Sequence, residues 1–454
     1  MTDSYKPSHF LQYPPGTEAV FDYIEARGGR FKEVCFFAGF QKLLAEVLAK
    51  PITKKDIQEA KQVLEAHGVP FNEEGWNYIL TAHGGKLPLE IKAVPEGTVV
   101  PLRNALVTVT NTDPQCFWLP GYYETVLLRA AWYGTTVATY SRECRKIIKH
   151  YLDKTADSSE GLNFKLHDFG ARGVSSAESA SIGGLAHLVA GWQGSDTLEG
   201  VMAARRYYNE PMAAFSIPAA EHSTITSWGR DGEKAAYENM LDQFSEGLVA
   251  VVSDSYDLWN AIDNIWGDEL KEKIENREGT LVVRPDSGDP AFIVSQTIEK
   301  LMNKFGYETN SKGYKVLPDC VRVIQGDGID INTLDEILRT LEFKRLSADN
   351  LAFGMGGKLL QGHTRDDLSF AMKASAAYIN GEVVEVFKDP ITDKGKASKK
   401  GVLALRKTEE GSFETVRVDN WEGELFVNEL VPVFRDGEVL VNDSLADIRA
   451  RAEV

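Results

Sequence analysis

Residues 281–289 read Leu-Val-Val-Arg-Pro-Asp-Ser-Gly-Asp. A short apolar run ends in an arginine, a proline, a carboxylate and a glycine. Arg284 offers a planar fork of donors suited to phosphate. Asp286, two residues on, can accept hydrogen bonds from sugar hydroxyls. The pair suits a phosphorylated sugar. It suits a surface turn with an ion pair equally well, because Pro-Asp-Ser-Gly is good turn chemistry.

The same arrangement recurs along the chain. Phe164–Leu166 runs into His167-Asp168-Phe169-Gly170-Ala171-Arg172-Gly173, and Ala186–Trp192 leads to Gly194-Ser195-Asp196. Ala213–Ile217 precedes Pro218-Ala219-Ala220-Glu221-His222-Ser223, and Leu248–Val252 precedes Ser253-Asp254. Val321–Ile324 ends in Gln325-Gly326-Asp327-Gly328, and Leu351–Phe353 ends in Gly354-Met355-Gly356-Gly357-Lys358. Asp286 and Asp327 could each bind a ribose diol, or each could cap a following helix. The Gly354–Lys358 loop exposes backbone N–H groups that suit a phosphate, although it lacks the spacing of a P-loop. Arg365 could pair with that phosphate or with a neighbouring carboxylate. Phe169 and Arg172 could sandwich a flat ring and its charged neighbour. His222 has Glu221 and Asp254 as candidate partners that could orient its ring or raise its pKa.

These residues must be positioned by the elements that precede them. The runs are short and continuously apolar rather than alternating, which predicts parallel strands buried on both faces. They recur roughly 25–40 residues apart, as strand–helix units do. Polar motifs at carboxyl ends of strands fit a (β/α) barrel or an open doubly wound sheet. The absence of a first-strand G-x-G-x-x-G favours an irregular barrel. The spacing predicts helices over 41–66 and 122–152, and strand-and-turn character around Ile91–Val100 and beyond residue 380. The expected organisation is an α/β fold with an α+β domain built from 1–160 and 380–454 around a barrel-like catalytic domain, 161–379. Lys388, Lys394, Lys396, Lys399 and Lys400 form either an anion-gathering loop or a solvated charged one.

The net charge of −17 disfavours nucleic acid and anionic membranes as partners. No apolar stretch is long enough to span a bilayer, and residues 1–9 show no basic-then-apolar leader, so a cytoplasmic location is expected. The four cysteines, Cys35, Cys116, Cys144 and Cys320, form no C-x-x-C pair. None stands at metal-ligand spacing from a histidine, so no protein-bound metal is expected.

The ordered motifs carry a resemblance. His-Asp-Phe-Gly-Ala-Arg-Gly-Val-Ser-Ser-Ala-Glu-Ser from residue 167, Pro-Ala-Ala-Glu-His-Ser-Thr from 218 and Ser-Asp-Ser-Tyr-Asp from 253 come first. Arg-Pro-Asp-Ser-Gly, Val-Ile-Gln-Gly-Asp-Gly, Phe-Gly-Met-Gly-Gly and Val-Phe-Lys-Asp-Pro…Ser-Lys-Lys-Gly follow. Together with Asp3-Ser4-Tyr5-Lys6 they make the chain closely similar to the nicotinamide phosphoribosyltransferase family, over nearly its whole length. The resemblance implies a type II phosphoribosyltransferase fold and a homodimer with active sites at the interface. The implied reaction joins nicotinamide to 5-phosphoribosyl 1-diphosphate, giving nicotinamide mononucleotide and diphosphate in NAD salvage. By position, Phe169 would stack on the pyridine, closed by Tyr5 from the partner, and Asp196 would accept from the carboxamide. Arg172, His222 and Arg284 would contact diphosphate. Gly326, Asp286 and Asp327 would hold ribose, and Gly356, Gly357 and Arg365 the 5-phosphate. ATP would phosphorylate His222, and Mg²⁺ would ride on the substrate. Ala171 departs from the aromatic residue of animal members, and the segment after Arg27 is shorter than theirs. The alternatives are a nicotinate phosphoribosyltransferase of the same fold and, more distantly, a sugar-phosphate barrel enzyme.

Overall fold

The computed structural model describes residues 2–392, 397–419 and 425–454. The chain divides into two compact units, one of Met1–Thr139, Ala203–Glu210 and His363–Glu453, the other mainly of Tyr140–Met202 and Pro211–Gly362. The expected boundary near residue 160 and this division differ, because the helix Glu124–Thr155 contributes residues to both units. A change of composition does not mark a division that falls inside one helix.

In the first unit a seven-stranded sheet runs in the order Glu382–Glu385, Phe370–Ile379, Thr17–Ala26, Ala105–Asn111, Leu89–Ala93, Val431–Arg435, Glu438–Val439. Its pairings are antiparallel, and Thr17–Ala26 lies between an early and a late strand. Both chain ends therefore build one sheet, over a core that includes Phe36, Phe40, Trp76, Trp118 and Phe434. The helix expected over 41–66 is broken: helical turns end at Leu48, and Lys54–His67 begins afresh behind a Thr53–Asp56 capping box. Pro51 falls in the gap, where it cannot continue an intrahelical ladder.

The second unit is built on a six-stranded parallel sheet in the order Gly194–Ser195, Leu166–Asp168, Leu351–Met355, Val321–Gln325, Glu278–Arg284, Glu246–Val252. Val249–Val252, Leu281–Val283 and Val323–Gln325 are buried, as strands covered on both faces must be. Val323 pairs with Val283 on one side and Leu351 on the other. The sheet curls until its two edges meet one segment. Phe215 makes a parallel bridge to Gly194 at one edge, and Ala219 makes one to Ala250 at the other. Pro218 lies between these bridges; it has no N–H to donate, and its carbonyl accepts from Ala250 N at 2.9 Å. The irregularity expected of the barrel is concentrated in this closing segment.

Helices follow the strands. Pro290–Phe305 is capped by Asp289, whose side chain accepts from Phe292 N. Ile331–Phe343 is capped by Asp330 and buries Leu334, Ile337, Leu338 and Leu341, one apolar stripe at helical spacing. Inside the curl, Ala250, Val282 and Ile324 form an apolar cluster against which Phe169, Ile217 and Ala352 pack.

Candidate active site

Side chains alternate across a strand. Val282, Ile324 and Ala352 face the interior, so Arg284, Gly326 and Gly354, two residues further on, face it one layer higher. Phe169 completes that layer, its backbone N–H donating to the Met355 carbonyl at 2.9 Å. Its ring lies over the two glycines. A Cβ on Gly354 would stand 1.9 Å from Phe169 Cε2, and one on Gly326 would stand 3.3 Å from the same atom. The Gly326 position would also lie 3.9 Å from Arg284 Nε, so an aromatic ring and a guanidinium flank one glycine. A flat ring and an anionic neighbour suit that space.

Arg284 is held by Asp286 through two bonds, Nε–Oδ1 at 3.1 Å and Nη2–Oδ2 at 2.9 Å. His222 opens the short helix His222–Thr226 and is 48% exposed. Its Nε2 lies 3.1 Å from Asp254 Oδ1, and its Nδ1 lies 4.0 Å from Asp286 Oδ2. Of the two expected histidine partners, Asp254 is the one in contact. Glu221 instead accepts from the Ser223 hydroxyl, and its backbone N–H donates to Thr224 Oγ1.

Asp196 is exposed just past its strand, and its Oδ1 accepts from the Ser216 hydroxyl at 2.5 Å. Arg172 is exposed in the turn Ala171–Gly173. A Cβ on Gly173 would stand 2.9 Å from the Gly357 Cα, so this turn lies against the Gly356–Gly357 loop. The helix opened by that loop, Gly357–Leu360, is four residues long; the exposed loop amides, rather than a helix dipole, are what it offers. Asp327 is exposed, and neither it nor Asp286 caps a helix, since Asp289 and Asp330 take those positions.

Tyr5 and Arg365 belong to the other unit. Tyr5 is 58% exposed beside the turn Lys6–Leu11, and Arg365 pairs with Asp366 at 3.1 Å. Lys399 pairs with Glu25 at 3.1 Å and Lys400 with Glu385 at 2.9 Å. Lys394 and Lys396 lie outside the described residues.

Several residues near the site were not singled out from sequence. Asp168 is fully buried, with Oδ1 accepting from Gly170 N at 2.7 Å. Burial raises its carboxyl to about 6, against the Gly170 N–H and the nearby hydroxyls of Thr197 and Ser195. Burial lowers the pKa of His167, against the charge of Asp196. Ser216 and Ser287 bond Asp196 and Asp254 and carry no signature of their own; Gly354, read from sequence as part of a phosphate loop, lies against the Phe169 ring.

Residues 164–438 match the Nicotinate phosphoribosyltransferase (NAPRTase) family, and residues 1–91 match the Nicotinamide phosphoribosyltransferase, N-terminal domain. The chain belongs to the nicotinate phosphoribosyltransferase family. It is an enzyme, a phosphoribosyltransferase. A relative named nicotinamide phosphoribosyltransferase from Xanthomonas campestris is 51% identical, covering 100% of this chain and 97% of the relative. Another of that name from Acinetobacter baylyi is 32% identical over 99% of this chain and 95% of its own length. Among solved structures, nicotinate-nucleotide pyrophosphorylase from Pyrococcus furiosus aligns with a TM-score of 0.62 at 17% identity, covering 100% of this chain and 93% of that one. Human nicotinic acid phosphoribosyltransferase aligns at 0.60 and 16%, with the same coverages. These likenesses establish the type II phosphoribosyltransferase fold.

Among the described residues, the cluster whose side chains could hold a metal is His83, Asp113 and Cys116, with donor atoms within 4.8 Å of one another. It lies in the other unit, and sequence spacing did not show it. Its carboxylate is already engaged by His83 at 2.8 Å, Tyr78 at 2.9 Å and Gln115 N at 2.8 Å. Burial, with the Asp113 charge, pushes the Cys116 thiol to about 12. The cluster is accounted for as a hydrogen-bonded network. No described helix is long and apolar enough to cross a membrane.

Proposed function

We propose that this enzyme transfers the phosphoribosyl group of 5-phosphoribosyl 1-diphosphate to nicotinamide, giving nicotinamide mononucleotide and diphosphate in NAD salvage. The observation that carries this reading is that the Phe169 ring and the Arg284 guanidinium both stand beside Gly326, in a chain 51% identical to a nicotinamide phosphoribosyltransferase. The pyridine nitrogen attacks with its own lone pair, so the site needs no general base. It must orient the ring and stabilise charge separating between ribose C1 and diphosphate.

In this assignment Phe169 stacks on the pyridine and Asp196 accepts from the carboxamide. Arg172, His222 and Arg284 receive the diphosphate, and Asp286, Gly326 and Asp327 hold the ribose. Gly356 and Gly357 hold the 5-phosphate. The resemblance adds Arg365 for that phosphate and Tyr5 from a second copy, within a homodimer. Asp254 and Asp286 are occupied by His222 and Arg284, which fits Mg²⁺ carried mainly by the diphosphate, where it offsets charge. ATP coupling through His222 belongs to the same proposal; its support is a half-exposed imidazole held by Asp254.

The runner-up is nicotinate as the acceptor. The carboxylate of Asp196 disfavours it, since like charges would face each other. Incubation with 5-phosphoribosyl 1-diphosphate, Mg²⁺ and either pyridine, with and without ATP, decides between them. Nicotinamide mononucleotide is the expected product, stimulated by ATP. Formation of nicotinate mononucleotide alone would overturn the assignment.

A further inference from the structure

We propose that Ser216 is a specificity-determining residue that acts through Asp196. The inference rests on the reading of Asp196 as the carboxamide's partner and adds a second group to it.

The barrel's closing segment places the two side chains together. Phe215 and Gly194 are bridged in parallel. Ser195 N donates to Phe215 O at 3.1 Å, and Phe215 N donates to Gln193 O at 2.8 Å. In parallel pairing the residues that follow advance side by side, so Asp196 and Ser216 leave the pair as neighbours. Asp196 N is fixed to Asp168 O at 2.9 Å, and the Ser216 hydroxyl donates to Asp196 Oδ1 at 2.5 Å. Both residues are exposed at the strand ends, on the side that carries Phe169. His167 lies against the same wall, since a Cβ on Gly194 would stand 2.5 Å from its Nδ1. Burial disfavours the charged form of its imidazole, so it does not cancel the charge of Asp196.

A serine hydroxyl has one proton. While Asp196 accepts that proton, Ser216 shows a ligand only lone pairs, and Asp196 shows its remaining oxygen. The wall is then made of acceptors. It takes the N–H of a carboxamide and repels a carboxylate. If residue 196 offers no acceptor, as in Asp196→Ala, the hydroxyl is released and can donate to the carboxylate of nicotinate. The serine therefore supports discrimination while Asp196 is present and undermines it once Asp196 is gone, so substitutions at the two positions must be coupled.

The test is a double-mutant cycle read with both pyridines in the purified enzyme: Ser216→Ala, Ser216→Thr, Asp196→Ala and Asp196→Ala/Ser216→Ala. Loss of a hydrogen bond to a charged group at an exposed site predicts a rise in the nicotinamide KM of about three- to tenfold for Ser216→Ala, with kcat little changed. Ser216→Thr, which keeps the hydroxyl, restores it. Asp196→Ala gains nicotinate turnover, and the double variant loses most of that gain. Additive effects, or equal losses with both pyridines accompanied by lowered thermal stability, overturn the role of Ser216. An unchanged nicotinamide-to-nicotinate ratio in Asp196→Ala overturns the reading of Asp196 itself, and the two failures are separately visible.

Discussion

Asp254 fixes His222: its Oδ1 lies 3.1 Å from His222 Nε2, while Oδ2 accepts from Asp286 N at 3.1 Å and Ser287 Oγ at 2.5 Å. The carboxylate is 6% exposed and the imidazole 48%. A buried anchor thus holds an accessible ring, and the loop after Arg284 holds the anchor in turn through Asp286 N and Ser287 Oγ. Asp254→Asn keeps the shape and removes the charge. The ATP-stimulated rate is expected to fall about ten- to hundredfold, the range of a hydrogen bond to a charged group worth ~1.5–3 kcal/mol. His222→Ala is expected to abolish ATP stimulation. Paired measurement of ATP hydrolysis and mononucleotide formation checks both; undiminished ATP hydrolysis in His222→Ala counts against the phosphohistidine.

Gly354→Ala is expected to displace Phe169, because the new Cβ would stand 1.9 Å from its ring. Overpacking of this kind costs ~1–3 kcal/mol, so the nicotinamide KM should rise about tenfold or more. Gly326→Ala meets the ring at 3.3 Å and should cost less. If the order of the two effects is reversed in titrations of KM, the ring is not held by Gly354.

Asp196→Asn should narrow the preference for nicotinamide over nicotinate, by about tenfold or more if a like-charge contact is removed. Competition between the two pyridines at equal concentration reads this directly.

Asp168 gives a pH dependence. Its folded-state pKa, about 6, is raised above the ordinary carboxyl value by burial. The folded protein therefore binds this proton more tightly than the unfolded chain. The associated stability is fully present below the ordinary carboxyl range and is lost as pH rises through about 6. Removing the charge with Asp168→Asn should make the variant's stability relative to wild type improve from pH 4 to pH 7, by ~3 kcal/mol at most. Denaturant midpoints at several pH values test the sign; a constant difference rejects it.

Lys165 is partly buried, its side chain 12% exposed, and bonds the Asp349 side chain at 2.9 Å and its carbonyl at 2.8 Å. Burial holds its pKa below the ordinary lysine value, against the pull of Asp349. Asp349→Ala removes the carboxylate and leaves this cation only the backbone carbonyl; with that carboxylate 38% exposed, the expected loss is ~1–2 kcal/mol. Equilibrium unfolding monitors that loss, while Lys165→Met/Asp349→Ala should recover part of it. No recovery in the double variant would show that packing, not charge, sets the cost.

The parallel strands were legible before any contact was known, because runs such as Leu281–Val283 and Val249–Val252 are apolar without alternation. The sequence also put Arg284, Asp286, Asp327 and Phe169 at the carboxyl ends of those strands, where the structure has them. Tertiary structure alone decided which groups meet. Asp254 and Glu221 were equal candidates for His222, and the choice came from the curl of the sheet, since the chain had to bring residue 254 beside 222 while Glu221 turned to Ser223. Asp286 and Asp327 were equally good helix caps until Asp289 and Asp330 took those places. Ser216 was silent, and Gly354 read only as part of a phosphate loop, because their places beside Asp196 and Phe169 are set by contacts across the sheet. Composition and periodicity record what each residue can do and which face it occupies; contacts across a closed barrel depend on register and curvature, which no local pattern encodes.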